Sequence, residues 1–166
     1  YFMIGLPTES DEDIIGIATL AQKLVSCYKE VTGKRGARVT VSVSSFVPKP
    51  HTPFQWYAQN TTAEINRKQQ LLKENIKDKS ISFKYHDART SYMEGVFARG
   101  DRRLSKVIME AWKQGAKFDG WSDFFNYDNW LEALAKCNLE RDFYVTRERN
   151  MTEVLAWDHI RTGATK

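Results

Sequence analysis

The chain is poor in cysteine, proline and histidine, with two, four and three among 166 residues. Cys27 and Cys137 lie far apart and form neither a C-x-x-C nor a zinc-ligand pattern, so no disulfide framework follows. Such sparse usage suits a reducing, cytoplasmic setting. No apolar run approaches the roughly 20 residues that span a bilayer, so no membrane partner is expected. The apolar start ends at Pro7 and gives way to acids, unlike a signal peptide. His51, His86 and His159 are scattered without the spacing of a metal-binding helix, and no metal is expected from them. The charge excess is small, 25 basic against 21 acidic residues; it permits contact with phosphate without demonstrating it.

At 42% hydrophobic and 13% aromatic, the chain has material for one well-packed domain. Tyr1–Leu6 reads as a strand already under way. Ser10 and Asp13 resemble a capping box, and Glu9, Asp11, Glu12 and Asp13 crowd a first helical turn where the dipole favours them. Ile14, Ala18, Ala21, Val25 and Tyr28 give one apolar face running to about Thr32, with Gly33 placed for the C′ position. Val39, Val41 and Val43 then alternate with Thr40, Ser42 and Ser44, giving a strand with one apolar and one hydroxylated face. Strand, helix, strand at this spacing predicts a parallel βαβ unit. The hydroxylated face fits a strand lining a polar barrel lumen and fits an edge strand with one wet face. A second helix is expected from Thr61–Glu64 onward, apolar at Ile65, Leu72 and Ile76 and basic at Arg67, Lys68, Lys73, Lys77 and Lys79. Ile81–His86 alternates as a third strand. Helices are expected near residues 89–99, 101–115 and 122–137, the last carrying Trp121, Phe124, Phe125, Trp130 and Leu134 as packing material. The opening at Tyr1 and the close at Arg161–Lys166 read as a piece of a longer polypeptide.

Three of the four prolines fall within Ser44–Trp56. Proline cannot donate to a ladder, so Pro48 ends the pairing of the second strand. Val47, Lys49 and Thr52 precede prolines and are pushed toward extended geometry. The result is a stiff exit from a strand end, carrying Lys49 and His51, that serves as a rigid connection or a ligand contact. Gly5-Leu6-Pro7-Thr8-Glu9 is a strand-to-helix turn where backbone can approach a polar group. Ala98–Arg103 holds three arginines in five positions, able to bind phosphate bidentately or to form a turn capped by Asp101. His86-Asp87 and Asp158-His159 are candidate acid–base neighbours.

Tyr1–Glu9, Val43–Trp56, Ala98–Arg103 and Trp157-Asp158-His159-Ile160, in this order, resemble a bacterial radical S-adenosylmethionine family in which a cobalamin-binding-like domain precedes the radical core. The resemblance implies an α/β fold: the last βα units of a partial (β/α)6 barrel over residues 1–80, then a mostly helical extension over 81–166. Tyr1–Leu6 would be the fifth barrel strand and Val39–Val47 the sixth. Gly5, Leu6, Pro7 and Glu9 would meet the methionine or ribose of S-adenosylmethionine. Phe46, Val47 and Pro48 would lie by the adenine, with Ser44 on the inward face. Lys49, His51, Arg99, Arg102 and Arg103 would touch substrate or partner. The Cys-x-x-x-Cys-x-x-Cys loop that holds a [4Fe–4S] cluster is not in this chain. The whole protein would therefore be an enzyme carrying both cofactors, and this chain alone an inactive part that binds neither, its partner the missing N-terminal half of the barrel. Two other readings remain: a basic module binding RNA or another anionic partner through Arg67–Lys79 and Arg99–Arg103, and a docking surface at Trp121–Trp130.

Overall fold

The computed structural model describes residues 1–161 and 163. Its elements run β1 (Phe2–Ile4), α1 (Asp11–Thr32), β2 (Val39–Ser45), α2 (Thr62–Asn75), β3 (Ile81–Tyr85), α3 (Ala88–Ala98), α4 (Leu104–Lys113), α5 (Tyr127–Lys136) and α6 (Arg141–Val145). These residues form two compact units, Tyr1–Phe46 with Asn60–Ser91 and Val47–Gln59 with Tyr92–Lys166. Most of the closing segment whose sequence suggested a cut end, residues 162 and 164–166, lies outside the described residues.

The first unit is a parallel sheet in the order β1-β2-β3. Its helix α1 starts where the sequence placed it. Ser10 accepts from the Asp13 N–H while the Asp13 side chain accepts from the Ser10 N–H, satisfying two of the donors that a helix start leaves orphaned. It ends at Thr32, with Gly33 in the left-handed conformation and its N–H bonded to Lys29 O. Helix α2 is capped by Thr61, which accepts from the Glu64 N–H. Ile4, Ile14, Ile17, Ala18, Ala21, Val41, Val43, Leu72 and Ile81 close into one core between the two helices and the valine face of β2. Each large side chain so buried contributes roughly 1.5–3 kcal/mol. The other face of β2 carries Thr40, exposed, and Ser42 and Ser44, half-buried.

This sheet corrects the barrel expectation. β2 is the central strand, with β1 on one side and β3 on the other, and the two outer strands do not pair with each other. Closure needs those edges to meet, so the described residues form an open three-stranded α/β sheet with helical segments and not part of a (β/α)6 barrel. Ile81–Tyr85, read from the sequence as the start of an extension, is the third strand of this sheet.

The second unit is helical. Tyr92, Val96, Leu104, Val107, Trp130, Leu134, Tyr144 and Val145 form its core, with Met93, Ala111 and Ala133 filling between them. Helix α5 begins at Tyr127, later than its expected start near 122, because Asn126 caps it by accepting from the Asp128 and Asn129 N–H groups. That boundary divides the aromatic cluster: Trp130 is buried, while Trp121 and Phe124 are 70% and 61% exposed.

Gly5 (φ 88°) and Gly33 (φ 66°) give a controlled comparison. A Cβ on Gly33 meets nothing within 4 Å, whereas one on Gly5 would lie 2.9 Å from Ile65 Cδ1 and 3.3 Å from Asn60 Oδ1. Gly33→Ala should cost only the backbone strain, about 1–2 kcal/mol, and Gly5→Ala a further overpacking penalty of about 1–3 kcal/mol. Urea unfolding of the two variants measures the difference, and equal losses would contradict this account of Gly5.

Candidate functional site

Three of the segments singled out in the sequence meet in the second unit. After Pro48 the proline-rich segment folds into successive turns. Gln55 N–H donates to Thr52 O at 3.1 Å and Thr52 Oγ1 donates to Lys49 O at 2.8 Å. His51 sits at φ 59°, with its N–H donating to Gln55 Oε1 at 3.2 Å. The same oxygen accepts from Trp157 Nε1 at 2.6 Å, in a contact buried on both sides. Arg149 N–H donates to Trp56 O, and Gln59 N–H to Val145 O. The chain around 145–157 is thus fastened along the chain around 51–59.

The end of α3 supplies the third segment. Arg99 is 1% exposed and donates from Nη1 to Val145 O at 3.0 Å, with a longer contact from Nη2 to Arg147 O at 3.5 Å. Arg149 is 6% exposed, donates from Nη2 to Arg99 O at 3.0 Å, and holds its guanidinium 5.1 Å from the Trp157 ring centre. Neither Nε has a hydrogen-bond partner among the described residues. Among the described residues no carboxylate forms an ion pair with either arginine. Burial, followed by the nearby Arg149 and Arg147, pushes the Arg99 guanidinium down to about 10. Burial also lowers Arg149.

The neighbouring arginines are engaged differently. Arg103 binds Asp101 through its N–H, Nε and Nη2, the last at 2.7 Å, and lies over the Phe143 and Tyr144 rings. Its hydrogen bonds hold the Asp101 carboxyl below the usual range. Arg147 forms a two-point pair with Glu153 at 2.7 and 2.8 Å. Arg102 is exposed, and among the described residues no hydrogen bond or ion pair engages its guanidinium. It helps line a cavity of about 690 Å³ together with Pro50, Ala98, Gly100, Asp101, Ala156, Trp157, His159 and Ile160.

The remaining expected site residues are dispersed. Lys49 is paired with Glu94 on the surface. Gly5, Leu6, Pro7, Glu9, Ser44 and Phe46 belong to the first unit, Val47 and Pro48 to the second. Glu9 Oε1 accepts from Gly5 N–H at 2.8 Å and from Lys68 Nζ at 2.7 Å, with side chains only 7% and 6% exposed. Its carboxylate is therefore spent inside the protein. Ser44 donates to Phe2 O at 3.4 Å. Phe46, Val47 and Pro48 are buried side chains. Leu6, Pro7 and Glu9 line a shallow groove of about 470 Å³ with Phe2 and Met3; Gly5, Ser44 and Phe46 do not.

Sequence reasoning missed the burial of Lys68, which it placed among the basic residues opposite the apolar face of α2. Lys68 lies three residues after Ile65 and four before Leu72, on the apolar face of α2, and that spacing was the available signal. Arg149 offered none: it sits in a charged tract beside Arg147 and Glu148.

These observations also correct the enzymatic reading. Among the described residues no group of three or more His, Cys, Asp or Glu side chains is placed to hold a metal; Cys27 is exposed on α1 and Cys137 caps α5. With the sheet open, nothing in the fold supports an S-adenosylmethionine pocket, a [4Fe–4S] site or a missing barrel half as partner. Of the residues in the basic-module reading, Arg67 is paired with Asp11 and Glu64 and Lys68 is buried against Glu9. No helix among the described residues is long and apolar enough to cross a membrane.

No family model matches the chain, and no solved structure matches it. It is 32% identical over 108 residues to an uncharacterized protein of Methanocaldococcus jannaschii. The match covers 65% of this chain and 22% of that protein, so the chain spans well under two thirds of its relative's length.

Removing one partner of the buried Glu9–Lys68 pair should be costly. Lys68→Met alone should destabilise by about 3–5 kcal/mol, and Glu9→Gln added to it should recover most of the loss, because no uncompensated charge then remains. Denaturant unfolding of the single and double variants tests this. Asp101 carries a pH signature. Its carboxyl is lowered on folding, so its contribution is complete above the unfolded value and drains as pH falls through the depressed folded value. Stability followed down into the acid range should therefore fall less steeply in Asp101→Asn than in wild type.

Proposed function

We propose that the second unit is a small-molecule-binding module whose site is the cavity walled by Pro50, the Ala98–Arg102 turn and the Ala156–Ile160 segment. The observation that carries this reading is the convergence of three segments, far apart in sequence, on one concavity. They are fastened by the Trp157–Gln55, Arg149–Trp56 and Arg99–Val145 hydrogen bonds. A cavity held open by buried polar bonds is pre-organised, and pre-organisation reduces the ordering cost of binding. Its size falls within the ~300–1,000 Å³ of typical small-ligand sites. Its lining divides the work: Trp157, Ile160, Pro50 and Ala98 offer apolar surface, and Asp101, Arg102 and His159 offer polar groups. The same logic explains why Gln55 and Trp157 are buried together, since each fixes a wall of the site.

A panel of small metabolites screened against the full chain by ligand-observed NMR and thermal unfolding tests the module. A true ligand at about 100 times its Kd should add about 2.7 kcal/mol of stability. Ala98→Trp, which places an indole in the cavity, should abolish that gain. A panel without hits, or hits that protect the Ala98→Trp variant equally, would remove this function.

A further inference from the structure

The charge around this cavity is unequal, and the inequality says something about the ligand. Five guanidiniums lie in its wall or in the segments bonded behind it: Arg99, Arg102, Arg103, Arg147 and Arg149. Two are answered by carboxylates, Arg103 by Asp101 and Arg147 by Glu153. The direct partners of Arg99 and Arg149 are backbone carbonyls and, for Arg149, the Trp157 face; Glu153 acts on both only at longer range, and both retain a buried Nε without a hydrogen-bond partner among the described residues. Of the other carboxylates of the segment, Asp158 accepts from the Leu155 N–H and Glu148 is exposed. Backbone dipoles solvate a guanidinium but do not cancel its charge, and a buried charge without a counter-ion is costly. Arg102 adds an open guanidinium on the cavity wall itself.

Resting on the cavity's role as a binding site, we infer that its ligand is a small molecule bearing a phosphate group, seated at the Arg102 end. A phosphate monoester brings about −1.5 to −2 charge at neutral pH, enough to offset the excess, whereas a single carboxylate would leave part of it. The planar guanidinium fork of Arg102 suits two oxygens of one phosphate. Arg149, behind Trp157, and Arg99, bonded to Val145 O, act through the low-dielectric wall and need not touch the ligand. Trp157 and Ile160 take the organic portion, which separates this site from one built for a bare ion. Burial first, and then the neighbouring Arg149 and Arg147 charges, lower the proton affinity of Arg99.

The test uses the full chain with inorganic phosphate as the probe and acetate at matched ionic strength as the comparison. Thermal unfolding and phosphorus NMR line width provide the readouts. Phosphate should stabilise saturably and its phosphorus resonance should broaden, and acetate should not stabilise. Arg102→Gln should weaken the phosphate response about tenfold, and Arg102→Lys less, because the charge remains while the fork is lost. Arg102 is exposed and its guanidinium has no hydrogen-bond or ion-pair partner among the described residues, so both variants should unfold at the wild-type temperature in the absence of phosphate. An equal response to acetate, or a phosphate response that Arg102→Gln leaves unchanged, marks an adventitious ion only and overturns the inference. In that case uncharged hits from the metabolite panel that Ala98→Trp abolishes would still leave the cavity a binding site for a different ligand class.

Discussion

Lys68 and Arg99 carry full charges at 5% and 1% exposure, and a charge taken out of water must be met by an opposite charge, by oriented dipoles or by a ligand. The two units meet this constraint in different ways, and much of their local architecture follows from the choice. In the first unit the answer is ionic. Glu9 turns inward from the β1–α1 connection and meets Lys68 on α2 while also accepting from the Gly5 N–H. One carboxylate thereby fixes the turn after β1 and the position of α2. At that turn a Cβ on Gly5 would press on the Ile65 and Asn60 side chains.

In the second unit the answer is dipolar. Arg99 and Arg149 exchange bonds with carbonyls at Val145 and Arg99, and Arg149 rests on Trp157. This arrangement orders a segment, residues 145–157, that has little regular structure of its own beyond the end of α6. Its backbone groups have no ladder to join, so their bonds go to arginine side chains and to Trp56 and Gln59. Carbonyls leave charge behind where a carboxylate would not. The same device that organises the segment therefore biases the adjoining cavity toward anions, and structure and ligand preference share one cause.

Local signals were legible in the sequence to the extent that their causes are local. The Ser10–Asp13 box, the Gly33 stop, the Thr61 cap and the alternation of Val39, Val41 and Val43 each depend on residues within a few positions of one another. Each appears where the pattern placed it. Strand order is not local. Repeated βα units suit a closed barrel and an open sheet equally well, and only the pairing of β3 beside β2 decides between them. Resemblance of motifs pointed to the barrel; topology did not follow. The site shows the same division. Ala98–Arg103 and Trp157–Ile160 stood out as motifs, but their meeting depends on Arg149 and Gln55, which carry no pattern and acquire their roles from contacts across roughly fifty to a hundred positions.

The proline-rich exit is the clearest case of a segment whose composition and role agree for a reason other than the first one considered. Its prolines were read as stiffening a strand end, as a rigid connection or as a ligand contact. Lys49 and His51 are not the residues that reach the cavity; Pro50 is the one that lines it. The stiffness acts one step removed. With Pro48, Pro50 and Pro53 limiting the backbone, little entropy is lost in holding the Thr52–Gln55 turn. Gln55 is thereby held ready to accept from Trp157 at 2.6 Å. A flexible segment would have to be ordered by that bond, and the bond would contribute correspondingly less to placing Trp157. The prolines therefore set the position of an aromatic wall about a hundred residues away, and through it the place where the buried Arg149 charge stands behind the cavity.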